Sequence, residues 1–186
     1  MKKKIIITGG LGYIGTELCR LYSGVSWHHN ILIIDNRFVS ERVNQIRNWN
    51  MNFIHGDILD KDLVNRHFKN SDVVHHLAGI TSVPRTKNES SKEQDEKIKL
   101  VAEEGTQNIL NAISDKCKLI FPSTHVVYEG IPEVKKDIKE DENTRPVLSY
   151  SLSKAANEKQ LKESGKNYVI LRLGSVYGYS NDTMRI

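Results

Sequence analysis

The feature that most constrains the fold is a set of glycines between a short apolar segment and a longer amphipathic one. Residues 4–8 are rich in β-branched side chains and predict a buried strand. Gly9, Gly12 and Gly15 follow at intervals of three residues, and residues 12–23 then carry apolar side chains at helical spacing. Because side chains obstruct both a sharp turn and close packing of a helix on a strand, the glycines predict a tight strand–turn–helix unit.

The remainder of the chain continues to alternate between short apolar runs and longer amphipathic stretches. The short runs predict further strands near residues 31–34, 51–54, 72–77, 118–122 and 168–173. The longer stretches predict helices near residues 39–48, 60–69, 98–113 and 150–164. The polar segments 84–97 and 129–146 predict surface loops, the first of which runs into the opening turns of the next helix. Strands and helices in alternation are typical of a doubly wound parallel α/β sheet, a Rossmann-like fold whose ligand lies at the carboxyl ends of the strands.

Composition excludes several classes of protein. The chain has 186 residues, of which 38% are hydrophobic and 27% charged, which suits one globular domain with a substantial core. A net charge of +4, with both signs spread along the chain, indicates neither a nucleic-acid partner nor an anionic membrane surface. The two cysteines lack metal-ligand spacing, exclude a disulfide scaffold and favour a reducing compartment. No apolar run has the length of a secretion signal or a membrane span, so we expect a soluble cytoplasmic protein.

Two pairs of adjacent histidines, His28-His29 and His75-His76, raise the question of a metal site. Neighbouring residues on a strand point to opposite faces of the sheet, so His75 and His76 are poorly placed to chelate one ion. We therefore predict no metal.

The glycine turn also has the chemistry of an anion site. At the start of the helix that follows, backbone N–H groups without helical partners and a favourable dipole face any anion placed there. A simple tight turn is the alternative, but the strand before the glycines and the helix after them favour a loop that holds the pyrophosphate of a dinucleotide. The residues that we expect in this loop are Gly9, Gly12, Tyr13, Ile14 and Gly15.

Two acidic residues at strand ends predict the adenosine subsite. Asp35 ends the second strand, 20 residues after Gly15, where a carboxylate accepts the ribose hydroxyls and repels a 2′-phosphate. This favours NAD over NADP, although Arg37 nearby could bind that phosphate. Asp57 follows the third strand and could reach the adenine amino group. Ordinary turn residues are the alternative at both positions, and the same predicted subsite includes Asn36 beside Asp35 and Ile58 beside Asp57.

A second group of residues predicts proton chemistry. Tyr150 and Lys154 are four residues apart on a predicted helix and so share one face. A phenol normally titrates near 10, and a neighbouring ammonium favours the phenolate, so the pair is suited to proton transfer. Thr124 closes the fifth strand, where its hydroxyl could bond the reacting oxygen of a substrate or merely cap a turn. All three are expected at the carboxyl edge of the sheet.

The ordered set of motifs resembles the extended short-chain dehydrogenase/reductase family, the group of NAD-dependent nucleotide-sugar epimerases and dehydratases. Each motif alone is common, but the set runs along nearly the whole chain. The matching segments are residues 8–15, 56–58, 76–79, 105–110, 150–154 and 171–178.

The resemblance implies a role for each matching residue. Tyr150 would act as general base and acid, and Lys154 would bind the nicotinamide ribose and lower the pKa of Tyr150. Thr124 falls where the family keeps its catalytic Ser or Thr. The resemblance also places Leu77, Ala78 and Gly79 along the path of the cofactor, and Thr81, Thr124 and Ser175 against the sugar, with Ser175 replacing a common Asn.

The reaction implied by the resemblance is epimerisation of a nucleotide-diphosphate sugar through transient hydride transfer and a keto intermediate. Dehydratases of the group carry an acidic pair directly after the threonine, whereas this chain has Thr124-His125-Val126, which argues against 4,6-dehydration. The alternatives are a nucleotide-sugar reductase that uses NAD or NADP, and a non-catalytic dinucleotide-binding module.

The resemblance also predicts the organisation of the chain. Residues 1–178 would form the NAD-binding domain with the catalytic residues, and residues 179–186 would begin a substrate-binding lobe that is missing or abbreviated. We therefore expect either a fragment or a shortened protein. Family members suggest a homodimer in which the helices near residues 98–113 and 150–164 pair across the interface.

Overall fold

The computed structural model describes residues 2–81, 86 and 89–178. It contains six strands, as the apolar runs predict. Their bounds are β1 Lys4–Thr8, β2 Asn30–Asp35, β3 Asn52–His55, β4 Val73–His76, β5 Lys118–Thr124 and β6 Asn167–Leu173. Residues 179–186, the predicted start of a missing or abbreviated second lobe, lie outside the described residues.

Helices connect the strands in the predicted order. Their bounds are α1 Tyr13–Ser23, α2 Ser40–Asn48, α3 Lys61–Phe68, α4 Lys92–Ala112 and α5 Ser149–Glu163, with short 3₁₀ segments at Ser26–His28 and His125–Tyr128. None of the helices in the described ranges combines the length and the apolar content needed to cross a bilayer.

The strands form one parallel sheet in the order β3-β2-β1-β4-β5-β6. This confirms the doubly wound α/β fold. Connections leave β1 and β4 toward opposite faces, which opens a crevice between the carboxyl ends of these two strands. Pro122 lies in β5 beyond Ile120, the last residue paired with β4, so its missing N–H costs no bond on that side.

The core lies on both faces of the sheet, as strand alternation requires. Ile5 and Ile7 pack with Cys19 of α1 and Val43 of α2 on one face. Ile6 packs on the other face, in a cluster whose members from α3, α4 and α5 are Val64, Phe68, Ile109, Leu110 and Leu161. The three consecutive isoleucines are each 3% exposed or less, which explains the run of β-branched residues without polar interruption.

Polar caps determine where two of the helices begin. The Asp60 carboxylate accepts hydrogen bonds from the backbone of Asp62 and Leu63, both at 3.0 Å, which confirms the predicted start of α3. Helix α4 begins at Lys92, well before the apolar stripe that starts at residue 98, because the Ser91 hydroxyl accepts from the Gln94 N–H at 3.2 Å. The polar segment therefore supplies the exposed first turns of α4, as its sequence predicts.

Candidate active site

A cleft of about 880 Å³ lies at the carboxyl ends of the strands. Residues of the glycine turn, of the segments after β2, β3 and β4, and of β5 and α5 line it. The predicted residues that line the cleft are Gly9, Gly12, Tyr13, Ile14, Gly15, Asp35, Asn36, Asp57, Ile58, Leu77, Ala78, Gly79, Thr81, Thr124, Tyr150 and Lys154. Ser175 is exposed and does not line the cleft, although Gly174 and Val176 on either side of it do.

The glycine turn lies tightly against Leu77 and Ala78, which directly follow β4. Gly9 has a positive φ of 68°, and a Cβ on it would lie 2.7 Å from the backbone nitrogen of Ala78. A Cβ on Gly15 would lie 2.3 Å from the Gly9 carbonyl oxygen. Both obstacles are backbone atoms, so neither can move aside as a side chain would. The turn therefore requires glycine at these two positions, and the first residues of α1, Tyr13, Ile14 and Gly15, line the cleft.

We expect Gly15→Ala to disrupt this turn. The new methyl group would meet the Gly9 carbonyl, so the turn must open, and the free energy of unfolding should fall by about 1–3 kcal/mol. Dinucleotide affinity, measured by calorimetric titration, should fall at least about tenfold. The matched control is Gly24→Ala at the end of α1, where the nearest atom lies 4.0 Å from the new Cβ. Wild-type affinity in Gly15→Ala would contradict a close fit of the turn to its ligand.

The two acidic residues of the predicted adenosine subsite also hold the loops in place. The buried Asp35 carboxylate accepts from the Leu11 N–H at 2.9 Å, and its other oxygen accepts from the Arg37 N–H at 2.9 Å. The Asp57 carboxylate accepts from the Asn36 side-chain amide at 3.0 Å and from the Leu59 N–H at 2.9 Å. Each carboxylate thus uses part of its acceptor capacity to shape the site, and its bond to a ribose or adenine stays a prediction.

Arg37 lies between Asp35 and the glycine turn. Its Nε is 3.4 Å from the Asp35 carboxylate, and its Nη2 would lie 3.7 Å from a Cβ on Gly12. The side chain is 46% exposed, so the guanidinium and the buried carboxylate together form a largely neutral pair at this end of the cleft.

His75 and His76 point to opposite faces of β4, as the alternation of a strand predicts. His75 bonds the Tyr22 hydroxyl at 2.8 Å, and burial lowers the pKa of its imidazole to about 4. His76 is buried between Thr8, whose hydroxyl lies 3.0 Å from Nδ1, and Thr106, whose hydroxyl lies 3.0 Å from Nε2. Burial, reinforced by the charge of Lys154, lowers the pKa of His76 to about 3, so it is neutral at physiological pH.

The bonds around His76 connect the cofactor side of the cleft to α5. The Ala78 N–H donates to the Thr8 hydroxyl at 3.1 Å, and the same hydroxyl bonds Nδ1 of His76. The other nitrogen of the neutral ring, Nε2, bonds the Thr106 hydroxyl. The Asn157 side-chain amide donates to the same Thr106 hydroxyl at 3.0 Å. Sequence reasoning missed this series of hydrogen bonds, because the partners become neighbours only when β1, β4, α4 and α5 pack together.

Lys154 lines the end of the cleft opposite the glycine turn and Asp35. Its ammonium donates to the Pro122 carbonyl at 2.9 Å and sits 4.5 Å from the centre of the Phe121 ring and 5.8 Å from that of Tyr150. Burial lowers the pKa of the Lys154 ammonium to about 8, so it remains mostly charged near neutral pH. A cation is thus held beside Tyr150 in partly desolvated surroundings, which strengthens its effect on a nearby phenol.

Thr124 caps a turn while it lines the cleft. Its buried hydroxyl oxygen accepts from the Val126 N–H at 3.3 Å, which is the structural role considered for it from the sequence. The hydroxyl proton is left free of that bond and remains available to a ligand in the cleft. The two interpretations of Thr124 are therefore compatible.

Three comparisons with known proteins agree with this geometry. A model of the NAD dependent epimerase/dehydratase family matches residues 5–186. The chain belongs to this family. The match covers every element that forms the cleft.

Members of the family similar to this chain differ in their activities. A UDP-N-acetyl-alpha-D-glucosaminuronate decarboxylase of Bacillus cytotoxicus is 38% identical over 146 residues, which are 74% of this chain and 41% of the relative. A putative UDP-glucose 4-epimerase of Methanocaldococcus jannaschii is 30% identical over 185 residues, which are 96% of this chain and 57% of the relative. The chain thus spans about half the length of these curated relatives.

A solved structure of the family has the same fold. The UDP-glucuronic acid 4-epimerase of Bacillus cereus, in complex with NAD, superposes with a TM-score of 0.77 at 28% identity. The match covers 94% of this chain and 57% of the epimerase.

Proposed function

We propose that this chain binds NAD and carries the catalytic residues of an enzyme that epimerises a nucleotide-diphosphate sugar. The observation that carries the proposal is the convergence of two independent sets of residues in one cleft. The glycine turn and the Asp35 region suit a dinucleotide, and Tyr150, Lys154 and Thr124 suit proton transfer at the opposite end. The NAD-bound epimerase with the same fold and the UDP-sugar enzymes among the relatives support NAD and a UDP-linked sugar.

The proposed mechanism gives each of the three residues a task. Tyr150, as phenolate, removes the proton of a sugar hydroxyl, and Thr124 holds the same oxygen by donating its free hydroxyl proton. Lys154 stabilises the phenolate by its charge and orients the ribose next to it. NAD⁺, when bound, would be held by the glycine turn and the Asp35 region and would supply a reversible hydride acceptor, so that a keto sugar that rotates in the cleft could be reduced on its other face. Tyr150 then gives the proton back to the oxygen of the keto sugar, which completes the epimerisation.

The distribution of carboxylates favours epimerisation over dehydration. Asp35 and Asp57 are the only carboxylates among the described residues that line the cleft, and both lie at the adenosine end. Beside Thr124, His125 is exposed and bonds the Leu173 carbonyl at 3.1 Å. Among the described residues, therefore, no acid is placed to drive the loss of water near Thr124.

The proposal is tested by binding and turnover of the purified chain. Calorimetric titration with NAD⁺ and NADP⁺ should show tighter binding of NAD⁺. With NAD⁺ and a UDP-hexose such as UDP-glucose or UDP-glucuronic acid, NMR of the anomeric protons should show the epimer without net formation of NADH. In a parallel reaction that contains NADH or NADPH instead of NAD⁺, consumption of the reduced cofactor in proportion to product would identify a reductase. Binding of NAD⁺ without conversion of any such sugar would favour the non-catalytic module.

The predicted homodimer belongs to the same proposal. Helices α4 and α5 pack side by side on one face of the sheet, and Leu152 on α5 is 50% exposed. Analytical ultracentrifugation of the purified chain should give a dimer, and a Leu152→Asp variant should give a monomer if α5 lies in the interface.

A further inference from the structure

A buried ion pair joins α5 to β6. The Arg172 guanidinium donates from Nε to one oxygen of Glu158 at 2.9 Å and from Nη2 to the other oxygen at 2.7 Å. The side chains are 10% and 3% exposed. Two parallel charge-assisted bonds fix orientation as well as distance, which a single contact does not.

The same carboxylate also reaches β5. The Ser123 hydroxyl donates to Glu158 at 2.6 Å, and Ser123 directly precedes Thr124. Lys162 adds a longer contact at 3.5 Å from the helix surface. Glu158 therefore ties the strand that ends in Thr124 to the helix that carries Tyr150 and Lys154.

The spacing along α5 places this contact in line with the catalytic residues. Tyr150, Lys154 and Glu158 follow one another at intervals of four and lie on one face of the helix. Lys154 bonds the Pro122 carbonyl, and Glu158, one turn later, bonds Ser123. Successive turns of α5 are thus attached to successive residues of β5, which sets both the rotation of the helix and its position along its axis.

Arg172 has a further set of contacts on the opposite side. Its Nη1 donates to the Glu140 carbonyl at 2.8 Å and also bonds the Tyr128 hydroxyl, and the guanidinium stacks on the Tyr128 ring at 5.1 Å. The Tyr128 hydroxyl in turn bonds the Lys139 carbonyl at 3.0 Å. The segment after β5 is therefore attached to the same ion pair.

A gain in folding stability does not by itself explain a buried ion pair. Burying two charges costs about as much as their attraction returns, and well-packed apolar side chains often serve equally well or better. What an apolar pair does not provide is the fixed, two-bond geometry between α5 and β6 and the link to Ser123. The contribution of the ion pair is therefore to fix the position of α5 relative to β5 and β6.

We propose that Glu158 and Arg172 are positioning residues, whose ion pair holds α5 in the register that sets Tyr150 and Lys154 opposite Thr124. The inference rests on the proposed function, because it concerns the same three residues. Small displacements of reacting groups have large effects, since a shift of about 1 Å can cost about 100-fold in rate.

The test replaces the pair by apolar residues of similar size, Glu158→Leu with Arg172→Met, in the NAD⁺-bound chain. The readout is the pH at which the Tyr150 phenol ionises, followed by NMR of ¹³C-labelled tyrosine and assigned with Tyr150→Phe. We expect ionisation about one pH unit higher than in the wild type, a tenfold change in the ionisation constant, because the phenol moves away from Lys154. Thermal stability should change little.

The control is Glu163→Gln. This variant removes an exposed ion pair within α5, between Glu163 and Lys159 at 3.9 Å, and should leave the ionisation of Tyr150 unchanged.

A second variant covers the case in which the double variant does not fold. Ser123→Ala removes only the bond between β5 and Glu158, and should shift the ionisation of Tyr150 in the same direction by a smaller amount. Titration of the folded variants at the wild-type pH would overturn the positioning role and leave the proposed function intact. A wild-type chain whose Tyr150 ionises like free tyrosine would overturn the proposed function, and this inference with it.

Discussion

Replacing Tyr150 with phenylalanine is expected to lower the conversion of a nucleotide sugar by about 100- to 10,000-fold, the range typical of a lost general acid–base group. The substitution removes one oxygen and keeps the ring, so the ring contact with the Lys154 ammonium at 5.8 Å should persist. The affinity for NAD should therefore change less than about threefold. Turnover by NMR and affinity by calorimetry separate these two expectations.

The matched control for this prediction is Tyr168→Phe. Tyr168 lies on β6, packs against the core, and is not among the described residues that line the cleft. Loss of its hydroxyl should leave turnover within about twofold of the wild type. If Tyr150→Phe retained turnover, the hydroxyl of Tyr150 would not be the proton-transfer group, and the assignment of the catalytic centre would be wrong.

Replacing Lys154 with methionine is expected to stabilise the ligand-free chain while it weakens NAD binding. Burial lowers the pKa of Lys154 from its ordinary 10.5 to about 8, which corresponds to a penalty of about 3 kcal/mol for holding the charge in the folded state. The ammonium recovers part of this through the Pro122 carbonyl and the Phe121 ring. We expect a net gain of about 1–2 kcal/mol in the free energy of unfolding at neutral pH. NAD affinity should fall about tenfold or more, since the proposed contact of Lys154 with the ribose would be lost.

The pH dependence of this gain follows from the direction of the shift. Below pH 8 Lys154 is charged in both the folded and the unfolded wild type, so the folded state bears the full penalty. Between about pH 8 and 10.5 the folded state releases the proton while the unfolded state keeps it, so wild-type stability rises relative to the variant. Urea unfolding at about pH 7 and about pH 10 should show the difference shrinking.

The control for the pH experiment lies on the same helix. Lys159 is 74% exposed, and Lys159→Met should change stability by no more than about 0.5 kcal/mol at either pH. An equal stability difference for Lys154→Met at both pH values would contradict a buried, depressed ammonium. A loss of stability at neutral pH would show that the bonds to Pro122 and Phe121 outweigh the cost of burial.

The order of helices and strands was predictable from the sequence because it depends on local periodicity. The run Ile5-Ile6-Ile7 requires burial on both faces, and the glycines after it leave few ways to continue the chain. Because the strands are parallel, all of their carboxyl ends lie at one edge of the sheet. Residues as distant in sequence as Gly9, Thr124 and Tyr150 were for this reason predictable as neighbours of a single cleft.

The polar contacts inside the fold were not predictable in this way. Asp35 reaches Leu11 across 24 residues, His76 reaches Thr106 across 30, and Ser123 reaches Glu158 across 35. No spacing rule applies to such pairs, since each depends on how two elements pack. Ser175 is exposed beside the cleft-lining Gly174 and Val176, and its contact with a sugar stays a prediction.

The amino-acid sequence by itself determined the parallel α/β sheet, the glycine turn and the edge at which the site forms, because these follow from short-range patterns and the chirality of the chain. Only the tertiary structure decided that Lys154 is a buried cation on the Pro122 carbonyl, that His76 is a neutral link between β1 and α4, and that Glu158 and Arg172 hold α5 in register. The physical reason is that desolvation and hydrogen-bond geometry act through space, between side chains that only the packed fold brings together.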